Sequence, residues 1–237
     1  MWSLGLGSMQ QPMLTPSTIA LAKARVSGRH IFAHEGFSSR ELDVSSRVRE
    51  KHGGVFGHFS ASGNVSIGAS NAPIDVHVEM THSIPHQVQT INLRSRAGPL
   101  KATLSIMDMS KEAERNTFKI NAVSRDGPLD LTLSNGSTYG SVSIDAEATN
   151  APAHLTLDTA FEGTFVAKTV DSNESEGASA VYAPGATYSG HMRVFRTPFQ
   201  TRHIHAGAVG WGSEEAAVNG ASFAEVRSVQ RSAHIDI

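Results

Sequence analysis

Histidine and aspartate are the residues of this chain best suited to acid–base or metal chemistry, and several of them fall in short tracts of one shape. Asp75-Val76-His77, Lys101-Ala102-Thr103, Asp130-Leu131-Thr132, His154-Leu155-Thr156 and His234-Ile235-Asp236 each set two polar side chains about one apolar residue. In an extended chain the polar pair shares one face and the apolar residue takes the other. A carboxylate pair with a histidine would serve general acid–base work if Asp75 and Asp130 came together. Lys101 stands between them, so the competing reading is a solvated face on which unlike charges alternate. The second series, His77, Thr103, Thr132, Thr156 and Asp236, is a ladder suited either to an ordered ligand or simply to strand formation.

Two further histidine pairs have ligand-like spacing. His203-Ile204-His205 places two imidazoles on one face of a strand, and His30 and His34 have the i, i+4 spacing of a helix. Neither pair has a third ligand close by in sequence. No cofactor is therefore expected and no metal is assigned, with His203 and His205 as the remaining candidates. The candidate binding residues are Asp75, His77, Lys101, Asp130, His154 and Trp211.

The elements that must position these residues follow from four prolines. Taking Pro73, Pro99, Pro128 and Pro152 as origins, apolar residues stand at the first, third and fifth positions after each: Ile74, Val76, Val78; Leu100, Ala102, Leu104; Leu129, Leu131, Leu133; Ala153, Leu155, Leu157. Before each, the small or apolar residues stand at even offsets, as in Val65, Ile67, Ala69 and Ile144, Ala146, Ala148. Both halves have the period of a half-buried strand, but the inward set changes parity at the proline, which a continuous strand cannot do. Each unit is therefore strand, corner, strand. Asn-Ala-Pro and Asp-Gly-Pro suit the corner, since proline fixes φ and keeps its predecessor out of the helical region. The prolines are 26, 29 and 24 residues apart, a period that reads as one supersecondary unit per repeat. Aligning Ala233-His234-Ile235-Asp236-Ile237 with Ala153-His154-Leu155-Thr156-Leu157 puts Ser232 at the corner and leaves 80 residues between, room for about three more units.

These features together predict an all-β, single-domain β-solenoid over residues 41–237, preceded by a short N-terminal helix or tail over 1–40. Thr15-Pro16 and the run to Gly28 supply the start and stop signals of that helix, which would serve as a cap; the same segment also suits the first strand of the array. Gly207, Gly210 and Gly212 around Val209 and Trp211 predict a tight turn or bulge, with Trp211 covering an end of the core or joining a binding surface. Aromatic residues at 6% and Ala or Ser at many inward positions suit a narrow interior. The chain stops on an alternating apolar strand, so its open end must be covered by residues 15–50 in a monomer, or by the same end of a second molecule in a two-fold dimer.

Ser70-Asn71-Ala72-Pro73, Thr149-Asn150-Ala151-Pro152, Asp126-Gly127-Pro128, Phe161-Glu162-Gly163 and Gly207-Ala208-Val209-Gly210-Trp211-Gly212 together resemble the adhesin-like β-solenoid domains of unknown function found in bacteria and basidiomycete fungi. The likeness runs from about residue 41 to the end. Ser232 in place of a corner proline and Ala97-Gly98 in place of Asn-Ala depart from it. The resemblance implies the fold and an adhesin-type label, and carries no catalytic residues across.

Composition narrows the function classes. Twenty basic and 22 acidic residues give a net charge of −2, without the electrostatic footprint of a nucleic-acid or anionic-membrane partner. The absence of cysteine excludes disulfides, thiolate metal sites and a cysteine nucleophile. No signal peptide or bilayer-spanning run is recognisable, which predicts an intracellular protein, with cell-surface or secreted placement as the other reading. Asn64, Asn135 and Asn173 begin acceptor triplets that would matter for glycosylation only in a secreted chain. Phosphate-loop, Gly-x-Ser-x-Gly and His-Glu-x-x-His patterns do not occur. Two functions remain. One is a non-catalytic protein, leaning away from an enzyme, that presents a flat ladder face to a protein or glycan partner. The other is an enzyme processing a small molecule or carbohydrate with His and Asp residues near the 161–212 loops.

Overall fold

A computed structural model describes residues 54–82, 88–108, 117–135, 141–170, 177–181, 187–188, 191–212 and 222–237, together with the backbone of six short strands nearer the N-terminus. In chain order the strands are β1 (Ser3–Gly5), β2 (Met13–Leu14), β3 (Ala24–Gly28), β4 (His30–Ala33), β5 (Ser38–Ser39), β6 (Leu42–Ser46), β7 (Gly54–Ala61), β8 (Val65–Ala69), β9 (Ile74–His82), β10 (Val88–Ser95) and β11 (Leu100–Asp108). They continue with β12 (Thr117–Ser124), β13 (Leu129–Asn135), β14 (Ser141–Ala148), β15 (Ala153–Leu157), β16 (Gly163–Thr169), β17 (Ala178–Val181), β18 (Thr187–Tyr188), β19 (His191–Gln200), β20 (Ile204–Trp211), β21 (Ser222–Ser228) and β22 (Ala233–Asp236).

The strands form two sheets. One runs β1-β3-β6-β8-β10-β12-β14-β21-β16-β20-β19-β18 and the other β17-β22-β15-β13-β11-β9-β7-β4-β2, with β5 beside β7. Each strand–corner–strand unit gives its first strand to the twelve-stranded sheet and its second to the ten-stranded one. The parity change at each proline is the geometric reason, since a chain turning from one sheet to the other must present the opposite set of positions to a shared core. Between the sheets lie Val65, Ile67, Ile91, Leu93, Ile120 and Ile144 from the first, and Ile74, Val78, Leu100, Leu104, Leu131 and Leu155 from the second, all buried. Ile74, Leu100, Leu129, Ala153 and Ala233 are successive register partners, and so are Asp75, Lys101, Asp130, His154 and His234 on the outside.

The corners continue the ladder between layers. The amides of Ile74, Leu100, Leu129 and Ala153 donate to the carbonyls of Pro99, Pro128, Pro152 and Ser232, so Ser232 does replace the corner proline. Inside, the hydroxyls of Ser95, Ser124 and Ser228 donate to the carbonyls of Gly98, Gly127 and Ala151 at 2.6, 2.5 and 2.9 Å, satisfying groups that would otherwise be buried unpaired. Gly98 is required by proximity: a Cβ there would stand 2.5 Å from the Ala72 carbonyl oxygen.

The architecture corrects the expected β-solenoid over residues 41–237. The chain is all-β with two open sheets, and one end of the twelve-stranded sheet is antiparallel: β16 with β20, β20 with β19, and β19 with β18. The layer order also departs from the chain order. β21 lies between β14 and β16, and β22 between β15 and β17, all parallel. The C-terminal pair is therefore an interior layer rather than an open end, and neither an N-terminal cap over it nor a dimer through it has a place. Gly163 permits the insertion. It opens β16 with φ +152°, beside Ser222, whose carbonyl a Cβ would strike.

The expected N-terminal helix is corrected as well. Residues 24–26 belong to β3, held in parallel register between β1 and β6. Sheet pairing on both edges outweighs a weak local helix preference. Residues 17–23 lie outside the described part, and among the described residues there is no helix. Among the described residues no helix is long and apolar enough to cross a membrane. The glycine-rich tract 207–212 is strand through Trp211 rather than a turn, and the bulge lies on its partner, between Arg196 and Phe199.

Candidate functional site

The outward face of the ten-stranded sheet carries nearly all the singled-out residues, because every second position after a corner points there. Its first column is Phe56, Asp75, Lys101, Asp130, His154, His234 and Ser179. The second is His58, His77, Thr103, Thr132, Thr156, Asp236 and Val181. Lys101 separates Asp75 from Asp130, so the carboxylate pair for acid–base work is not assembled. Thr103, Thr132 and Thr156 form the flat middle of the face.

At one end, the rings of His58 and His77 meet edge-on at 4.4 Å. His58 Nε2 lies 3.5 Å from Glu79 Oε2, and His77 Nε2 lies 3.2 Å from Ser105 Oγ. Partial burial, reinforced by the neighbouring His58 and opposed by Glu79, holds the His77 imidazole below the ordinary histidine range.

At the other end, three side chains converge on the strands that the insertion brings together. His154 Nε2 and His234 Nε2 each lie 2.8 Å from the Asp236 carboxylate, one on each oxygen. The two rings are 5.2 Å apart. The remaining nitrogens are also engaged: His234 Nδ1 is 2.6 Å from Ser179 Oγ, and His154 Nδ1 faces Asp130 Oδ1 at 3.7 Å. Partial burial acts to raise the Asp236 carboxyl, but hydrogen bonds and charge from the two imidazoles outweigh it and hold it below the usual carboxylate range. Among the described residues, His154, His234 and Asp236 form a group of three able to hold a metal ion, with ligand atoms within 4.8 Å of one another.

His203 and His205 are turned to structural work. His203 Nδ1 is 3.3 Å from Thr169 Oγ1, and His205 Nδ1 accepts from the Ala180 amide at 3.1 Å, joining the two sheets where β20 meets β17. Burial lowers the His205 imidazole. They do not join the three-ligand group. His30 lies in β4, so its expected helical pairing with His34 does not form, and His34 itself lies outside the described residues. Trp211 ends β20 away from the ladder face, with the Arg193 guanidinium 5.8 Å from its ring centroid. That guanidinium is buried and donates to the carbonyls of Asp158 and Phe161.

Sequence reasoning put His154, His234 and Asp236 in the right columns but set His154 and Asp236 several layers apart. The signal that would have joined them was the register of 233–237 on 153–157, without the three intervening units. His58 and Ser179 carried no such signal, because they lie outside the proline-centred repeats. No family model, no curated protein and no solved structure matches the chain.

Proposed function

We propose that the chain is a non-catalytic binding protein whose working surface is the outward face of the ten-stranded sheet, engaged by a protein or glycan partner. The observation that carries this reading is the run of in-register polar columns across β7, β9, β11, β13, β15 and β22. Short side chains on a flat, hydrogen-bonded backbone are ordered at little entropic cost, so a partner meets a preorganised surface. The adhesin-like resemblance of the corner tracts supports the same role. The enzyme reading needs free histidines beside residues 161–212, and there His203 is engaged with Thr169 and His205 with the Ala180 amide of the other sheet.

The test is binding to glycan and protein arrays by three forms: the wild type, Thr103→Arg/Thr132→Arg on the working face, and Asn121→Arg on the outer face of the other sheet. A ligand held by the wild type and by Asn121→Arg, and weakened at least about tenfold by the double variant, supports the reading. A ligand insensitive to the double variant, or lost with Asn121→Arg alone, contradicts it.

A further inference from the structure

We propose that His154, His234 and Asp236 bind a divalent transition metal of the zinc class, and that the ion clamps the inserted C-terminal strand to its neighbour. The ligand atoms, Nε2 of each histidine and a carboxylate oxygen, lie within 4.8 Å of one another. They sit on β15 and β22, whose ladder pairs His154 with His234 and Thr156 with Asp236. The backbone thus sets the spacing of the donors before any ion arrives. Two imidazole nitrogens and a carboxylate suit zinc, copper, nickel or ferrous iron, whereas calcium and magnesium take oxygen sets.

The surroundings offer each ring a partner for the tautomer that a metal requires. A ligating histidine normally gives its second N–H to a carboxylate, carbonyl or hydroxyl, which fixes the ring and strengthens the donor. Here Asp130 stands beside His154 Nδ1 and Ser179 beside His234 Nδ1. In the metal-free chain each Nε2–H donates a hydrogen bond to Asp236, so binding an ion moves each ring's single proton to Nδ1, beside Asp130 and Ser179, and frees both Nε2 lone pairs for the metal. An entering ion replaces those bonds with coordination bonds. All three ligands are partly exposed, so solvent or a donor from a partner completes the coordination, as in sites that keep an open position.

The ion would join residues 82 apart in sequence across the one layer that departs from chain order. Metal bound to the folded chain and not to the unfolded one raises stability by mass action. The second-column threonine of β15 becomes Asp236 in β22, which is what converts a plain ladder into a ligand set.

The test uses the full chain, stripped with a chelator and titrated with zinc by calorimetry. The expected result is a site of one ion per chain, at least about tenfold weaker in His234→Gln and in Asp236→Asn, and unchanged in the control His58→Gln/His77→Gln. Zinc should raise the melting temperature of the wild type and the control but not of the two site variants. A second measurement needs no variant: during the zinc titration of the wild type, the imidazole resonances of His154 and His234 should move before those of the other ten histidines. No binding, undiminished binding in both site variants, or first movement at other histidines would overturn the proposal.

Discussion

Replacing Leu131 with alanine removes three carbon atoms from a side chain with no solvent exposure. Its register neighbours are Ala102 in β11 and Leu155 in β15. At about 0.8 kcal/mol per methylene-sized group, the lost transfer term is about 2.4 kcal/mol. Ladders on both sides fix the backbone, and Ala102 is too short to reach across, so most of the vacated space persists. A residual void of roughly 50 Å³ adds about 1 kcal/mol at about 24 cal/mol per Å³. The expected loss is therefore about 3–4 kcal/mol, whereas Thr132→Ala on the outward face should stay within about 0.5 kcal/mol. Urea denaturation measures both, and with a slope of about 2–3 kcal/mol per molar the Leu131 midpoint should fall by about 1–2 M. Equal losses from the two substitutions would refute the assignment of faces.

Deleting residues 222–237 should leave the edges of β14 and β15 unpaired against β16 and β17, and light scattering should then show oligomers or aggregates; a stable monomer would mean that the C-terminal layer is dispensable. Gly127→Ala should cost on the order of 1–3 kcal/mol, because its Cβ would strike the Gly98 carbonyl, and a denaturation midpoint equal to the wild type would show that the corners yield easily. The His77 imidazole is held below its ordinary value, so below about pH 6.5 the unfolded chain takes up that proton first and stability falls with pH. His77→Gln should make the decline between about pH 7 and pH 5 shallower, as read by denaturation midpoints at the two ends; an unchanged or steeper decline would contradict the sign.

The strand–corner–strand units were legible because Pro73, Pro99, Pro128 and Pro152 mark corners by stereochemistry, and alternation about each marks which side chains are inward. Both signals are local. Layer order is not local: β14 with β15 presents the same edge to any strand pair in register, and nothing between residues 157 and 222 says that the last pair will insert before β16 and β17. Gly163 was the one sequence trace of that insertion, and it reads as an ordinary turn glycine until Ser222 is seen against it. The antiparallel β19–β20 hairpin was equally obscure, since Gly207 lies close against Phe165 and the Arg196 carbonyl rather than turning the chain. For the site, column membership was legible and adjacency was not, so the histidine–aspartate group appeared as separate members of two long ladders.

The working face, and the histidine–aspartate group at its end, exist as described only if β22 lies between β15 and β17. The absence of cysteine allows this to be measured directly with introduced pairs. Thr156 is the register partner of Asp236, and Asp236 is the partner of Val181. Neighbouring strands are about 4.8 Å apart and next-nearest ones about 9.6 Å, while a disulfide requires Cα atoms within about 7 Å. Under mild oxidation, Thr156→Cys/Asp236→Cys should form an intramolecular disulfide and Thr156→Cys/Val181→Cys should not. Bridging of 156 to 181, with none between 156 and 236, would show the layers stacked in chain order and would contradict the account.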